Sequence, residues 1–130
     1  MAYNSPPAST ADYGVVKIGT GINVTSGVIS VTPNGQVNTV RVTDADSPYL
    51  VTADDYYIGC AGQGAGITID LPPGIDGRVL VIKSEAGQPS DVVIVPNGLQ
   101  SIENVGSYTI LSATDGSVTL VFRNTNWNVV

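Results

Sequence analysis

The feature that most constrains this chain is a turn-and-strand rhythm, clearest in Tyr13-Gly-Val-Val-Lys-Ile-Gly-Thr-Gly-Ile-Asn-Val-Thr-Ser-Gly-Val-Ile-Ser-Val31. Apolar patches of about four residues are punctuated by Gly19-Thr20-Gly21 and Ser26-Gly27, so the backbone must fold back every few residues. A meander this small cannot hide its own apolar side chains. It needs a larger body or copies of itself, which points to an assembly part rather than a catalyst.

The same rhythm continues downstream. Val40 and Val42 alternate with Thr39, Arg41 and Thr43, and Asp44-Ala-Asp46-Ser-Pro48 reads as a turn. Tyr49–Val51 and Tyr56–Cys60 follow as strands, then the glycine loop Ala61–Gly66 and the period-2 segment Ile67–Leu71, ended by Pro72-Pro73-Gly74. Arg78–Ser84 and Val92–Val95 are apolar at successive positions, which predicts strands buried on both faces. Pro96-Asn97-Gly98 turns the chain toward a strand at Ser107–Leu111, and Asp115-Gly116 turns it again. Val118–Arg123 then forms a hairpin with Trp127–Val130 through Asn124-Thr125.

No window supports a helix of three turns. About ten or eleven short strands predict an all-β fold, a short-stranded antiparallel sandwich, jelly roll or barrel. Residues 1–12, with Pro6-Pro7, read as an extended arm; 13–43 as the meander; 44–130 as the main body.

Charge narrows the partners. Eleven acidic residues against five basic ones give −6, which opposes phosphate backbones and anionic bilayers, so neither nucleic acid nor a membrane surface is expected. No run approaches the ~18 apolar residues of a spanning helix, and the opening residues lack the basic and apolar regions of a signal peptide, so cytoplasmic synthesis is expected. Charged residues are only 12% of the chain, with Val, Ile, Thr, Ser and Asn in their place. Uncharged β-branched surfaces suit a protein whose faces are covered by neighbours.

Chemistry has little to work with. With 0 histidines and 1 cysteine, Cys60, there is no Ser/His or Cys/His pair, no internal disulfide and no transition-metal set. Lys83-Ser84 lies on one strand, where neighbours point to opposite faces and cannot meet. Asp54, Asp55, Asp70 and Glu85 are not placed in any groove by the sequence, so a hydrolase carboxylate pair is not expected. Asp44 and Asp46 have the alternate spacing of a calcium loop but lack its bend glycine and distal glutamate; a capped turn is the simpler reading. Gly62-x-Gly64-x-Gly66 opens into a strand rather than a helix, which makes it a mobile hairpin tip and not a phosphate cradle. Trp127 shares a face with Val129 and is expected in the core, whereas Tyr56 and Tyr57 point to opposite faces, leaving one for contacts. No cofactor and no enzymatic activity are expected.

The segment Tyr13–Val31 resembles one common in structural proteins of tailed bacteriophages. Val51-Thr-Ala-Asp-Asp-Tyr-Tyr-Ile-Gly59, Ile67-Thr-Ile-Asp-Leu-Pro-Pro73, Gly77-Arg-Val-Leu-Val-Ile-Lys83 and Ser117–Val129 are similar to a β module found on many phage virion proteins. The resemblance implies a symmetric, trimeric virion protein made in the host cytoplasm. Fibres and spikes carry the module on much longer chains, so a short chain fits a capsid decoration or cement protein best; a tail-fibre part or an adhesin-like glycan-binding module is the alternative. On this reading the arm residues Tyr3, Asn4, Pro6, Pro7 and Tyr13 contact the major capsid protein, and Val16, Ile18, Ile22, Val24 and Tyr57 form the subunit interface. An extended arm suits cement because it can add strands or contacts across capsomer seams.

Overall fold

In the computed structural model the described residues are 23–25, 28–30, 36–85, 88–112 and 114–130. The chain divides into two units, Met1–Gln36 and Val37–Val130. In the first, β1 (Asn23–Thr25) and β2 (Val28–Ser30) pair antiparallel with Val24 opposite Ile29.

The second unit begins with β3 (Thr39–Val42), which the sequence grouped with the meander but which pairs with a strand of the main body. A 3-10 turn at Asp44–Asp46 leads to β4 (Tyr49–Leu50), β5 (Tyr57–Cys60), β6 (Ile67–Asp70), β7 (Val79–Ser84) and β8 (Val92–Val95). The chain closes with β9 (Ser101–Ile102), β10 (Tyr108–Ile110), β11 (Ser117–Arg123) and β12 (Asn126–Val129). These form a six-stranded sheet ordered β3-β5-β7-β11-β12-β9 and a four-stranded sheet ordered β10-β8-β6-β4.

The all-β architecture in two sheets is the one expected, but strand direction is not. From β3 to β8 each strand crosses to the other sheet and the next returns parallel to the one before it. Val40, Ile58 and Ile82 thus stand in register in one sheet, and Tyr49, Ile69 and Ile94 in the other. The chain is wound as a short coil of unequal turns. Only afterwards do β10 on β8 and β11 between β7 and β12 run antiparallel, with β9 again parallel to β12. Strand direction follows from the winding. Here most connections pass between sheets, and a strand that completes a full turn re-enters its sheet in the original direction.

The core fills the space between the sheets. Val42, Ile58, Leu80, Ile82 and Leu120 from one side meet Ile67, Ile69, Val92 and Ile94 from the other, and all are fully buried. Trp127 is also wholly buried, as its alternation implied, and packs edge-on to Phe122 at 5.1 Å and 63°. The hairpin through Asn124 (φ 48) and Thr125 (φ 66) has positive φ at both central residues, as a two-residue turn matched to strand twist requires.

One expectation about burial is corrected. In β7, Leu80, Ile82 and Ser84 point inward, while Val79, Val81 and Lys83 are only half-buried; β8 alternates in the same way. The apolar residues at alternate positions do not lie under a second layer of this unit. They form an outer face.

Candidate interaction surface

Among the described residues, several of the side chains singled out for possible chemistry are engaged in building the fold. The Asp44 carboxylate accepts from the backbone N–H of Gln63 (3.3 Å) and Ala65 (3.4 Å), and these bonds hold it below the ordinary carboxylate range. Asp46 accepts from the Thr43 N–H (2.9 Å) and hydroxyl (2.7 Å), with the same downward effect. Two carboxylates so engaged are turn-formers. Among the described residues no group of three or more His, Cys, Asp or Glu is close enough to share a metal ion.

The glycine loop is neither a hairpin tip nor untethered. It carries the chain from β5 in one sheet to β6 in the other, because β5 and β6 are not sheet neighbours. Gln88, itself buried, accepts from the Gly62 N–H at 2.6 Å and donates to the Ser90 carbonyl at 2.7 Å. The Ser90 hydroxyl then donates to the Gly64 carbonyl at 3.0 Å. Sequence reading missed Gln88, since a glutamine between a glycine and a proline carries no periodic signal.

A second knot lies below β4. Asp55, buried, accepts from the Tyr49 hydroxyl (2.9 Å) and the Thr52 N–H (2.8 Å). Burial, reinforced by that carboxylate, pushes the Tyr49 phenol up to about 12. Arg78 donates to the carbonyls of Ala53 (2.6 Å), Thr52 (3.0 Å) and Asp55 (2.5 Å), locking the loop between β4 and β5. Lys83 Nζ donates to the Asp115 carbonyl while Ser84 is buried on the opposite face, so the two side chains do not meet. Cys60 is fully buried, and burial first, with Glu85 second, pushes its thiol up to about 12. It is a core residue, not a nucleophile.

Of the contact residues expected from sequence, Tyr3, Asn4, Pro6, Pro7, Tyr13, Val16, Ile18 and Ile22 lie outside the described residues. Val24 stands in β1 opposite Ile29, and Tyr57 in β5 belongs to the other unit. Tyr57 lies on the outward face of the six-stranded sheet, half-buried, its hydroxyl donating to Glu85 at 3.2 Å. Tyr56, one residue earlier, is exposed.

The structure adds surface residues that sequence did not single out. Val79 pairs with Val121, and Val81 lies in register with Tyr57 and Thr119, so a patch of β-branched side chains with one tyrosine occupies the outward face. Along one edge, the loops that follow β4, β6 and β8 expose Ile75 (76%) and Leu99 (104%). A shallow depression there is lined by Ala53, Pro72, Pro73, Ile75 and Arg78. No described helix is long and apolar enough to cross a membrane. The chain matches no known family model, no curated protein and no solved structure.

Proposed function

We propose that this chain is a structural, non-enzymatic virion protein of a tailed bacteriophage that binds and stabilises the outer capsid surface as a symmetric oligomer, a trimer by its resemblance to phage β modules. The observation that carries the reading is the outward face of the six-stranded sheet, where valines stand half-buried at positions usually given to charged or strongly polar residues. A wound β body with apolar outer rows suits a part that works by being covered. Its partners on this reading are other copies of itself and the major capsid protein.

Quantitative mass spectrometry of purified particles tests the reading. Hundreds of copies per particle, in fixed ratio to the major capsid protein, are expected of a shell-coating protein. A handful of copies assigns the chain to the tail or a fibre and directs attention to host glycans. Absence from particles overturns the virion reading.

A further inference from the structure

We infer that two dissimilar patches of the second unit, the outward face of the six-stranded sheet and the loop edge bearing Ile75 and Leu99, dock on each other between copies of this chain. The inference names the self-contact that the structural reading needs and rests on that reading only for its biological role.

The argument begins with charge. The second unit holds four basic residues, Arg41, Arg78, Lys83 and Arg123. Arg78 is committed to three backbone carbonyls. The other three stand on a single face: Arg41 and Lys83 in register on either side of Gly59, and Arg123 just beyond buried Phe122 at the far end of β11. Between them lies the apolar centre of Tyr57, Val79, Val81 and Val121, with the Glu85 carboxylate lying over Gly59 and accepting from the Tyr57 hydroxyl.

The loop edge has the complementary character. Ile75 and Leu99 project from it, and exposed Asp54 and Asp76 flank them. Its loops are already fixed: Gly74 N–H donates to Gln100 Oε1 at 3.2 Å, Arg78 ties down 52–55, and Asp76 accepts from Asn124 N–H at 3.0 Å. Little ordering entropy remains to be lost on docking.

A chain of net charge −6 repels its copies unless contacts bring unlike patches together. Apolar-plus-cationic against apolar-plus-anionic does so. Because the patches differ, the contact is head-to-tail and closes into a ring when the rotation allows. A second copy is the occupant chosen because the complementary patch is present on this same chain.

Sedimentation and native mass spectrometry of the full chain over a range of concentrations test this. Val81→Asp on the face and Leu99→Asp on the edge should each weaken self-association at least about 10-fold. Leu99 is fully exposed, so at concentrations that keep both chains monomeric its variant should melt as the wild type does, which separates docking from folding. Arg123→Glu and Asp54→Lys should each weaken association about 3- to 5-fold, and the combined variant should recover most of that loss. A chain that stays monomeric overturns the inference and leaves another protein to cover the face. An oligomer indifferent to both Val81→Asp and Leu99→Asp overturns it too, as does failure of the combined charge variant to recover. Particle stoichiometry is unaffected by these outcomes, so the virion reading stands or falls separately.

Discussion

Gly74→Ala probes how tightly the loop edge is fitted to the core. A Cβ added at Gly74 would meet Cγ, Cδ2 and Cε2 of Phe122, all under 3.0 Å, against the 3.4–4 Å of ordinary contact. The ring has little room to retreat. Phe122 is 5% exposed and packs on Trp127, which is 0% exposed. Moving the loop instead would strain the Gly74 bond to Gln100 and the Gly77 N–H bond to the Phe122 carbonyl at 2.9 Å. Overpacking of this kind costs about 1–3 kcal/mol. Gly74 does not occupy the left-handed region, so the alanine also stiffens the unfolded chain, an offset of about 0.4–1 kcal/mol. The net expectation is a loss of about 1–2 kcal/mol, or roughly 5–15 °C in Tm for a body of this size. Urea unfolding followed through the fluorescence of Trp127, the single tryptophan, gives the number directly. The decisive control is Phe122→Ala. With the ring gone, the second substitution should be neutral or slightly stabilising, a coupling of about 1–2 kcal/mol. A Gly74→Ala chain within about 0.5 kcal/mol of wild type, or additive with Phe122→Ala, would refute the steric argument.

Gln88→Ala should cost about 1–3 kcal/mol, because it leaves the Gly62 N–H and the Ser90 carbonyl without their buried partner, and amide exchange should quicken first in the glycine loop. Gln88→Glu keeps the acceptor for Gly62 but sets a buried carboxylate oxygen against the Ser90 carbonyl, so at neutral pH it should cost at least as much as alanine in the same denaturation assay. Cys60, buried and with its thiol pushed up to about 12, should resist a maleimide or disulfide reagent at pH 8 and react only at the rate of unfolding; fast modification in native buffer would contradict its placement. The Tyr49 phenol, ordinarily near 10 and raised to about 12 by burial and Asp55, holds its proton in the folded state after the unfolded chain has released it. Its contribution to stability is therefore complete below pH 10 and lost as pH rises through 10 to 12; Tyr49→Phe should flatten that part of the stability–pH curve.

Strand positions were legible because period-2 alternation is a local property. Ile67–Leu71 marked β6, and Asn124-Thr125 marked the β11–β12 hairpin by turn chemistry alone. Sheet partnership was not legible. Alternation states which face a residue takes but not which strand lies beside it, and the coil's unequal turns leave no fixed repeat to detect. The two-residue strand β9 was missed because Glu103 (φ 49) and Asn104 (φ 64) turn the chain directly after it, and a glutamate at positive φ gives no turn signal. The successive valines of β7 and β8 suggested burial on both sides by the rule that holds for parallel sheets covered on both faces. Each of these strands has one parallel and one antiparallel neighbour here, and this unit supplies no second layer, a mismatch that leaves the candidate surface uncovered.

The winding also explains why contact residues gather where they do. Each passage between sheets must leave one layer and enter the other, so the loops after β4, β6 and β8 leave one end of in-register strands side by side. Loops stacked this way are short, braced by Arg78 and Gln100, and unable to fold their apolar residues back into a core already filled by Ile67, Ile69 and Ile94. Ile75 and Leu99 are thereby forced outward. The sheet that receives the returning chain has the opposite problem: its inner face is full, and its outer valines have no layer of this unit above them. Both patches follow from the same geometry, a two-sheet coil that buries only the inner side of each sheet. A longer winding would not cure this, since every added turn extends the same outer face and the same loop edge. Only a covering partner does.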